Sequence, residues 1–284
     1  MEQLKRRANN IIYGVSVSIT PSVYEKDAYA LVYSENKYRE DLLLKLLRDT
    51  VPHFALTKKE LEKLNKDNFQ DLIRRAWNRI SNRPADKKGD YGELILFLFL
   101  EVFYPAKKLI TKVRLRSSLK EEIKGFDCSH FRIKGDDVEF WLGEAKFHKD
   151  FSGGISKAVS SINEHANYSK IKDELIIIEG NNDEIDEGDR LLIEKHLNAD
   201  MPLEKINIVM PVLITYDSKA VNKYAMITNE FKDKLEKELK GHYSTIDKSK
   251  ISIASNVKLL FILFPLNSVS QIKTELENIE KAHK

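Results

Sequence analysis

The chain has 284 residues, and its 47 basic and 44 acidic side chains leave a formal net charge of +3. This near balance excludes a molecule-wide basic field, so any nucleic-acid binding must come from local patches. Hydrophobic residues make up 42% of the chain, enough for a substantial core, and no apolar run reaches the roughly 18–20 residues of a membrane span.

Cys128 is the only cysteine, which excludes an internal disulfide and suits a reducing compartment. The N-terminus is basic but lacks the apolar segment of a signal peptide. We therefore expect a cytoplasmic protein.

Hydrophobic periodicity predicts strands and helices in alternation after an early, mostly helical part. The segments at 109–116, 126–133 and 138–146 alternate like strands, and 174–178 is apolar but of undecided type. The other predicted strands are residues 11–20, 206–215 and 257–264, and the predicted helices are residues 36–51, 58–80, 91–104, 153–170, 184–198, 231–239 and 269–282. This order indicates an α/β fold with an N-terminal helical elaboration, divided by a polar connector at 81–89 into residues 1–85 and 86–284.

Residues 126–133 and 138–146 read as a β-hairpin around the turn dipeptide Gly135-Asp136. Pairing across this turn sets Asp127 directly opposite Glu144, with Cβ atoms about 4.5–5.5 Å apart. Lys146 falls on the same face of the strand as Glu144. Two adjacent carboxylates beside an ammonium group are costly for a fold and suited to binding a hard cation.

An acidic residue two before a lysine occurs seven times in the chain, so context must decide. Only the instance at Glu144 closes an alternating apolar strand. It alone is preceded by a strand bearing an in-register acid, within Gly125-Phe126-Asp127. An upstream helix opens with Gly92-Glu93.

Together, Glu93, Gly125-x-Asp127 and Glu144-Ala-Lys146 resemble the core of the PD-(D/E)XK nuclease superfamily. The following helix, which bears Ser160, Asn163 and Glu164, is part of the same resemblance. More narrowly, residues 90–165 resemble the HamA-type nuclease subunit of the Hachiman anti-phage defence systems. Phe126 stands where the superfamily's name has proline. The resemblance implies a restriction-endonuclease-like core, a mixed central sheet flanked by helices.

The resemblance also implies the roles of the residues. Asp127 and Glu144 would hold Mg²⁺ (or Mn²⁺), Glu93 would complete the metal site, and Lys146 would orient the attacking water. The activity would be hydrolysis of DNA phosphodiesters, in partnership with a superfamily 2 helicase subunit of the HamB type. The chain itself has no P-loop sequence for ATP. The expected docking surfaces for the helicase are residues 1–85 and the C-terminal helix.

Five basic residues near this region are candidates for DNA phosphate contacts. Lys112, Arg114 and Arg116 share one face of the predicted strand at 109–116, and Lys149 and Lys157 follow the hairpin. The alternative is that they form ordinary solvated faces.

Each acidic residue also has a structural explanation. Glu93, three residues after Asp90, could be the returning half of a helix capping box. Asp127 and Glu144 could be a rim pair without a ligand, and Lys146 could form only a surface salt bridge.

The histidines and glycines around the hairpin give little further evidence for a metal or phosphate site. The spacing of His130, His148 and His165 matches no zinc motif. Gly153-Gly154 at a helix start would let backbone N–H groups approach a phosphate.

Two other functions stay open: a catalytically inactive regulatory subunit of a helicase, and a restriction-type endonuclease acting alone.

Overall fold

The computed structural model describes residues 1–19, 22–63, 67–80, 89–115, 125–181, 185–197 and 201–284. The strands in these ranges are β1 Ile12–Gly14, β2 Glu25–Leu31, β3 Tyr33–Ser34, β4 Lys37–Tyr38, β5 Lys107–Thr111, β6 Cys128–Lys134, β7 Asp137–Phe147, β8 Asn207–Asp217 and β9 Val257–Leu266. The helices are α1 Glu2–Ile11, α2 Glu40–Ala55, α3 Lys58–Glu62, α4 Phe69–Asn78, α5 Asp90–Phe103, α6 Lys112–Leu115, α7 Phe151–His165, α8 Tyr168–Glu179, α9 Glu187–Leu197, α10 Lys219–Lys223, α11 Asn229–Asp247 and α12 Val269–His283.

The described strands, apart from the small β3–β4 hairpin, form one mixed sheet in the order β1-β2-β9-β8-β7-β6-β5. The four central strands β2, β9, β8 and β7 run parallel, whereas β5, β6 and β7 form an antiparallel meander and β1 is antiparallel to β2. The mixed α/β architecture expected from the sequence is confirmed.

Helices cover both faces of the sheet, because alternate residues of each central strand are apolar on opposite sides. On β7, Phe140 and Leu142 pack in one core with α7, α8 and α11. Trp141 packs in the other core with α2, α4, α5 and α12. No helix among the described residues combines the length and apolar composition needed to cross a membrane.

The N-terminal region departs most from the sequence prediction. The strand predicted at 11–20 is wrong for most of its length: α1 runs to Ile11, where Leu4 and Ala8 bury one helix face, and β1 pairs only Ile12–Gly14 with β2. The helix predicted at 58–80 is interrupted, with α3 ending at Glu62 and α4 starting at Phe69, beyond the poor helix former Asn68.

The region before residue 80 is also built into the main sheet and core. Strand β2, which the sequence did not predict, lies between β1 and β9, and α2 and α4 share a core with α5. The domain boundary at 85/86 falls within 81–88, outside the described residues, and stays a prediction. The undecided segment at 174–178 is helical, as part of α8.

Candidate active site

The site lies where β6 begins and β7 continues alone. The hairpin has the predicted register as far as Cys128 opposite Gly143. The next predicted pair, Asp127 with Glu144, does not form as a strand pair. Instead the Asp127 backbone N–H donates to the Gly143 carbonyl at 2.8 Å, and its Oδ2 accepts from the Ala145 backbone N–H at 2.7 Å. The carboxylate thus takes the place of a strand carbonyl and stays beside Glu144.

Lys112 neutralises Asp127. The prediction of a strand through 116 is wrong, because β5 pairs with β6 only as far as Thr111 opposite Cys128, and the chain then turns into the short helix α6. That turn brings the Lys112 Nζ to 2.9 Å from Asp127 Oδ1, with 13% and 14% of the two side chains exposed. Lys112 is therefore part of the acidic site and not of an exposed strand face.

Glu144 is the most buried acid of the site, with 4% of its side chain exposed. Its Oε1 accepts a hydrogen bond from the Nζ of Lys146. Its Oε2 lies 3.9 Å from His165 Nδ1, at the last residue of α7, and has no hydrogen-bond partner among the described residues. The salt bridge between Lys146 and Glu144 therefore forms, but it is largely buried and not a surface pair.

The surroundings shift the pKa values of the two acids in opposite directions. Burial alone would raise the pKa of Glu144, but His165, Lys146 and Lys112 outweigh it and lower the pKa to about 2. Burial, together with the charge of Glu144, raises the pKa of Asp127. Burial would lower the pKa of Lys112, but the neighbouring carboxylates more than reverse this and raise it. At neutral pH the site therefore holds a charged Glu144 beside two ammonium groups.

Glu93 approaches the same site from α5, on the face of the sheet opposite to α7 and α8. Its helix α5 packs close to β7, since a Cβ on Gly92 would lie 3.1 Å from the Cβ of Phe147. Glu93 is 5% exposed, and its charge contributes to the raised pKa of Lys112. The capping-box explanation is wrong, because Gly89, which has no side chain, occupies the N-cap position.

Glu174 on α8 is a site neighbour that sequence reasoning missed. It is 6% exposed, its Oε1 accepts a hydrogen bond from Ser129 at 2.6 Å, and it also accepts one from the Phe126 backbone. Gly125 has a φ of +111°, and a Cβ there would lie 3.0 Å from Glu174 Oε2. Glu174 therefore holds the turn that presents Asp127. Gly125 must be glycine because residues with a side chain rarely adopt its positive φ.

The donor set is compatible with a divalent cation. Mg²⁺ in proteins is commonly held by one or two carboxylates with its remaining ligands water, and Glu144 keeps one buried oxygen without a hydrogen bond among the described residues. No group of three or more His, Cys, Asp or Glu side chains in the described ranges is close enough to hold a metal ion. The pair formed by Asp127 and Glu144 thus fits such an ion, and Glu93 as a third ligand stays a prediction.

The other predicted DNA contacts are placed only in part. Lys149 and Lys157 are exposed, and the Lys157 Nζ lies 3.3 Å from His148 Nε2. Arg114 lies in α6 and not on a strand, and Arg116 is outside the described residues. DNA binding by Lys149 and Lys157 stays a prediction.

Helix α7 does not offer its first turn to a phosphate. The Asp150 side chain already caps it, accepting from Gly153 N–H at 2.7 Å. A Cβ on Gly153 would lie 2.7 Å from His148 Cε1, so the imidazole would have to move if Gly153 carried a side chain. Further along α7, the Asn163 amide bonds the backbone of Lys250 and Ser252, which makes it a structural anchor.

Comparison with known proteins gives one result. A search of curated proteins finds no match. The model of the HamA family matches residues 11–279 of the 284. Because this match covers nearly the whole length, the chain belongs to the HamA family.

Proposed function

We propose that this chain is a metal-dependent DNA nuclease and the effector subunit of a two-component antiviral complex with a helicase partner. Membership of the HamA family suggests a role in Hachiman anti-phage defence. The observation that carries the nuclease proposal is the cluster at the open end of β7, where Asp127 and Glu144 lie beside two lysines. We assign the fold to the PD-(D/E)XK superfamily on the same observation.

Each residue of this cluster would have its own role in the hydrolysis of the phosphodiester. A bound Mg²⁺ or Mn²⁺ would polarise the scissile phosphate and lower the pKa of a coordinated water. Glu144, kept ionised by its cationic neighbours, and Asp127 would supply its carboxylate ligands. Lys146, 18% exposed, would orient the attacking water and offset charge on the phosphate. Lys112 would hold Asp127 in place.

The proposal is tested by DNA degradation with Lys146→Ala. We expect the purified variant, assayed with Mg²⁺ and the co-encoded helicase, to lose cleavage while its urea unfolding curve shows a folded protein. Lys134→Ala is the matched control, because Lys134 also pairs with a carboxylate, Glu139, at 2.6 Å but far from the site. Undiminished cleavage by Lys146→Ala would refute the assigned role.

The second candidate is a catalytically inactive subunit that regulates its helicase. It is favoured by the absence of a group of three metal-binding side chains in the described part of the chain. An inactive scaffold shows no thermal shift with Mg²⁺ or Mn²⁺ that disappears in Asp127→Asn. A stand-alone endonuclease, in contrast, cleaves without ATP or helicase, so assays with and without the partner separate the two enzyme hypotheses.

A further inference from the structure

A cavity of about 570 Å³ lies between the first turn of α7, the end of β8 and the helix α11. Four lysines line it, and we refer to it as the lysine groove: Lys149, Lys219, Lys234 and Lys237. It sits beyond the carboxyl ends of the parallel strands β7 and β8, the position where open α/β sheets commonly bind ligands. Its volume is within the usual range for a ligand site.

The four lysines are available to a ligand. All are exposed, and none forms an ion pair with a described residue, whereas the acids that line the groove are engaged by backbone N–H groups. Glu238 accepts from Ala220 N–H at 3.1 Å, and Asp217 accepts from Val269 N–H at 2.7 Å. Asp150 caps α7. The four ammonium groups thus have no ion-pair partner among the described residues, whereas each acid that lines the groove accepts at least one backbone N–H.

The floor of the lysine groove favours phosphate over bases. Tyr216 is 2% exposed, and burial together with the Glu238 carboxylate beside its hydroxyl raises its pKa, so this phenol faces Glu238 and forms part of the floor. The aromatic rings pack on one another: Phe151 and His242 stack with centroids 3.7 Å apart, and Tyr216 meets His242 edge-on. A free aromatic face, which base stacking requires, is therefore not offered by these rings.

The lysine groove also continues the candidate active site. Lys149 follows Lys146 by three residues, which separates them by at most about 10 Å along the chain, and the Lys149 carbonyl accepts from Asp217 N–H at 2.8 Å. Lys157, beside His148, lies on α7 next to the same segment. A line of cations thus runs from the reactive end of β7 to the groove.

We propose that the lysine groove binds the phosphate backbone of the DNA strand next to the bond being cleaved, without reading its bases. This inference rests on the proposed nuclease function. Backbone contacts of this kind position a nucleic acid but do not select a sequence.

The test uses the full chain in a Glu144→Gln background, so that binding is measured without cleavage. The groove variant is Lys219→Gln/Lys234→Gln/Lys237→Gln. The matched control, Lys232→Gln/Lys248→Gln/Lys250→Gln, removes the same charge from exposed lysines on or just after α11 that lie outside the groove. The probes are a short labelled single-stranded DNA, the corresponding duplex, and inorganic phosphate, over a series of salt concentrations.

We expect the groove variant, but not the control, to bind DNA more weakly and with a shallower salt dependence. Each lysine–phosphate interaction that the substitutions remove lowers the slope of log K against log salt by about 0.7 for single strands and about 0.9 for duplex. Equal affinities and slopes in the two variants overturn the proposal. So does a groove variant that no longer binds phosphate but keeps DNA binding, since the site then takes a small anion. If the intact groove binds DNA yet the wild-type chain never cleaves it, the nuclease function fails and the groove assignment stands.

Discussion

Lys112→Met removes the ammonium that neutralises Asp127 and keeps the apolar stem. Both side chains of this ion pair are nearly nine-tenths buried, and Glu93 and Glu144 contribute to the same electrostatic environment. Removing one partner of a buried ion pair leaves an uncompensated charge, which destabilises proteins by about 3–5 kcal/mol. We expect a loss of that size in the free energy of unfolding at neutral pH, measured by urea titration with an unchanged m-value.

The pH dependence of this loss has a definite sign. The pKa of Asp127 is already above its ordinary value, and removing Lys112 raises it further. The folded variant therefore binds a proton at a higher pH than the unfolded chain does, so its deficit is greatest above the raised pKa and shrinks as pH falls through it. Added Mg²⁺ that binds at Asp127 and Glu144 should stabilise the variant, since a ligand that binds only the folded state stabilises it.

Lys134→Met is the control for Lys112→Met. Lys134 also pairs with a carboxylate at 2.6 Å, but 54% of its side chain is exposed, so the loss should stay below about 1 kcal/mol. Equal losses in the two variants, or a Lys112→Met deficit that does not change with pH, would contradict the electrostatic account of the site.

Three further predictions concern the core that positions the site. His130 is fully buried, neither ring nitrogen has a hydrogen-bond partner among the described residues, and burial lowers its pKa from 6.5 to about 3. As the pH falls, the unfolded chain therefore binds a proton at this histidine before the folded chain does, and the free energy of unfolding decreases between about pH 6.5 and 3. His130→Phe should flatten that decrease in urea titrations. Glu174→Ala leaves the Ser129 hydroxyl without its acceptor and should cost about 1–3 kcal/mol, whereas the double variant Ser129→Ala/Glu174→Ala should cost less than the sum of the two single changes. Gly92→Ala places a Cβ 3.1 Å from the Cβ of Phe147, so α5 or β7 must shift, and the change should cost about 1–3 kcal/mol. A crystal structure of the variant with both elements unmoved would contradict the close-packing argument.

The hairpin could be predicted because its signals are local. The Gly135-Asp136 turn and the strand alternation are properties of neighbouring residues, and they fix the register that the structure confirms as far as Cys128. The predicted strand pair of Asp127 with Glu144 does not form, because the Asp127 backbone N–H bonds Gly143 while its carboxylate, in place of its carbonyl, accepts from Ala145.

The cationic and supporting parts of the site depend on distant contacts. Lys112 continues an alternating pattern in sequence. However, β6 begins at Cys128, which already pairs with Thr111, so a longer β5 would have no partner strand. Only the sheet pairing shows this. Glu174 lies 45 positions from Ser129, in a short apolar segment whose periodicity favours neither helix nor strand. The spacing of His165 from the other histidines matched no zinc motif. Its position beside Glu144 follows from the length of α7.

Cleavage of DNA by Glu144→Gln tests the central claim most directly, because the change keeps the shape of the side chain and removes the charge. The account predicts that the wild-type chain, with Mg²⁺ and its helicase partner, degrades DNA, and that a chelator stops it. It predicts that Glu144→Gln lowers the rate by about a hundredfold or more while its unfolding transition stays cooperative. Cleavage by Glu144→Gln at the wild-type rate would contradict a catalytic role for the acids at the end of β7.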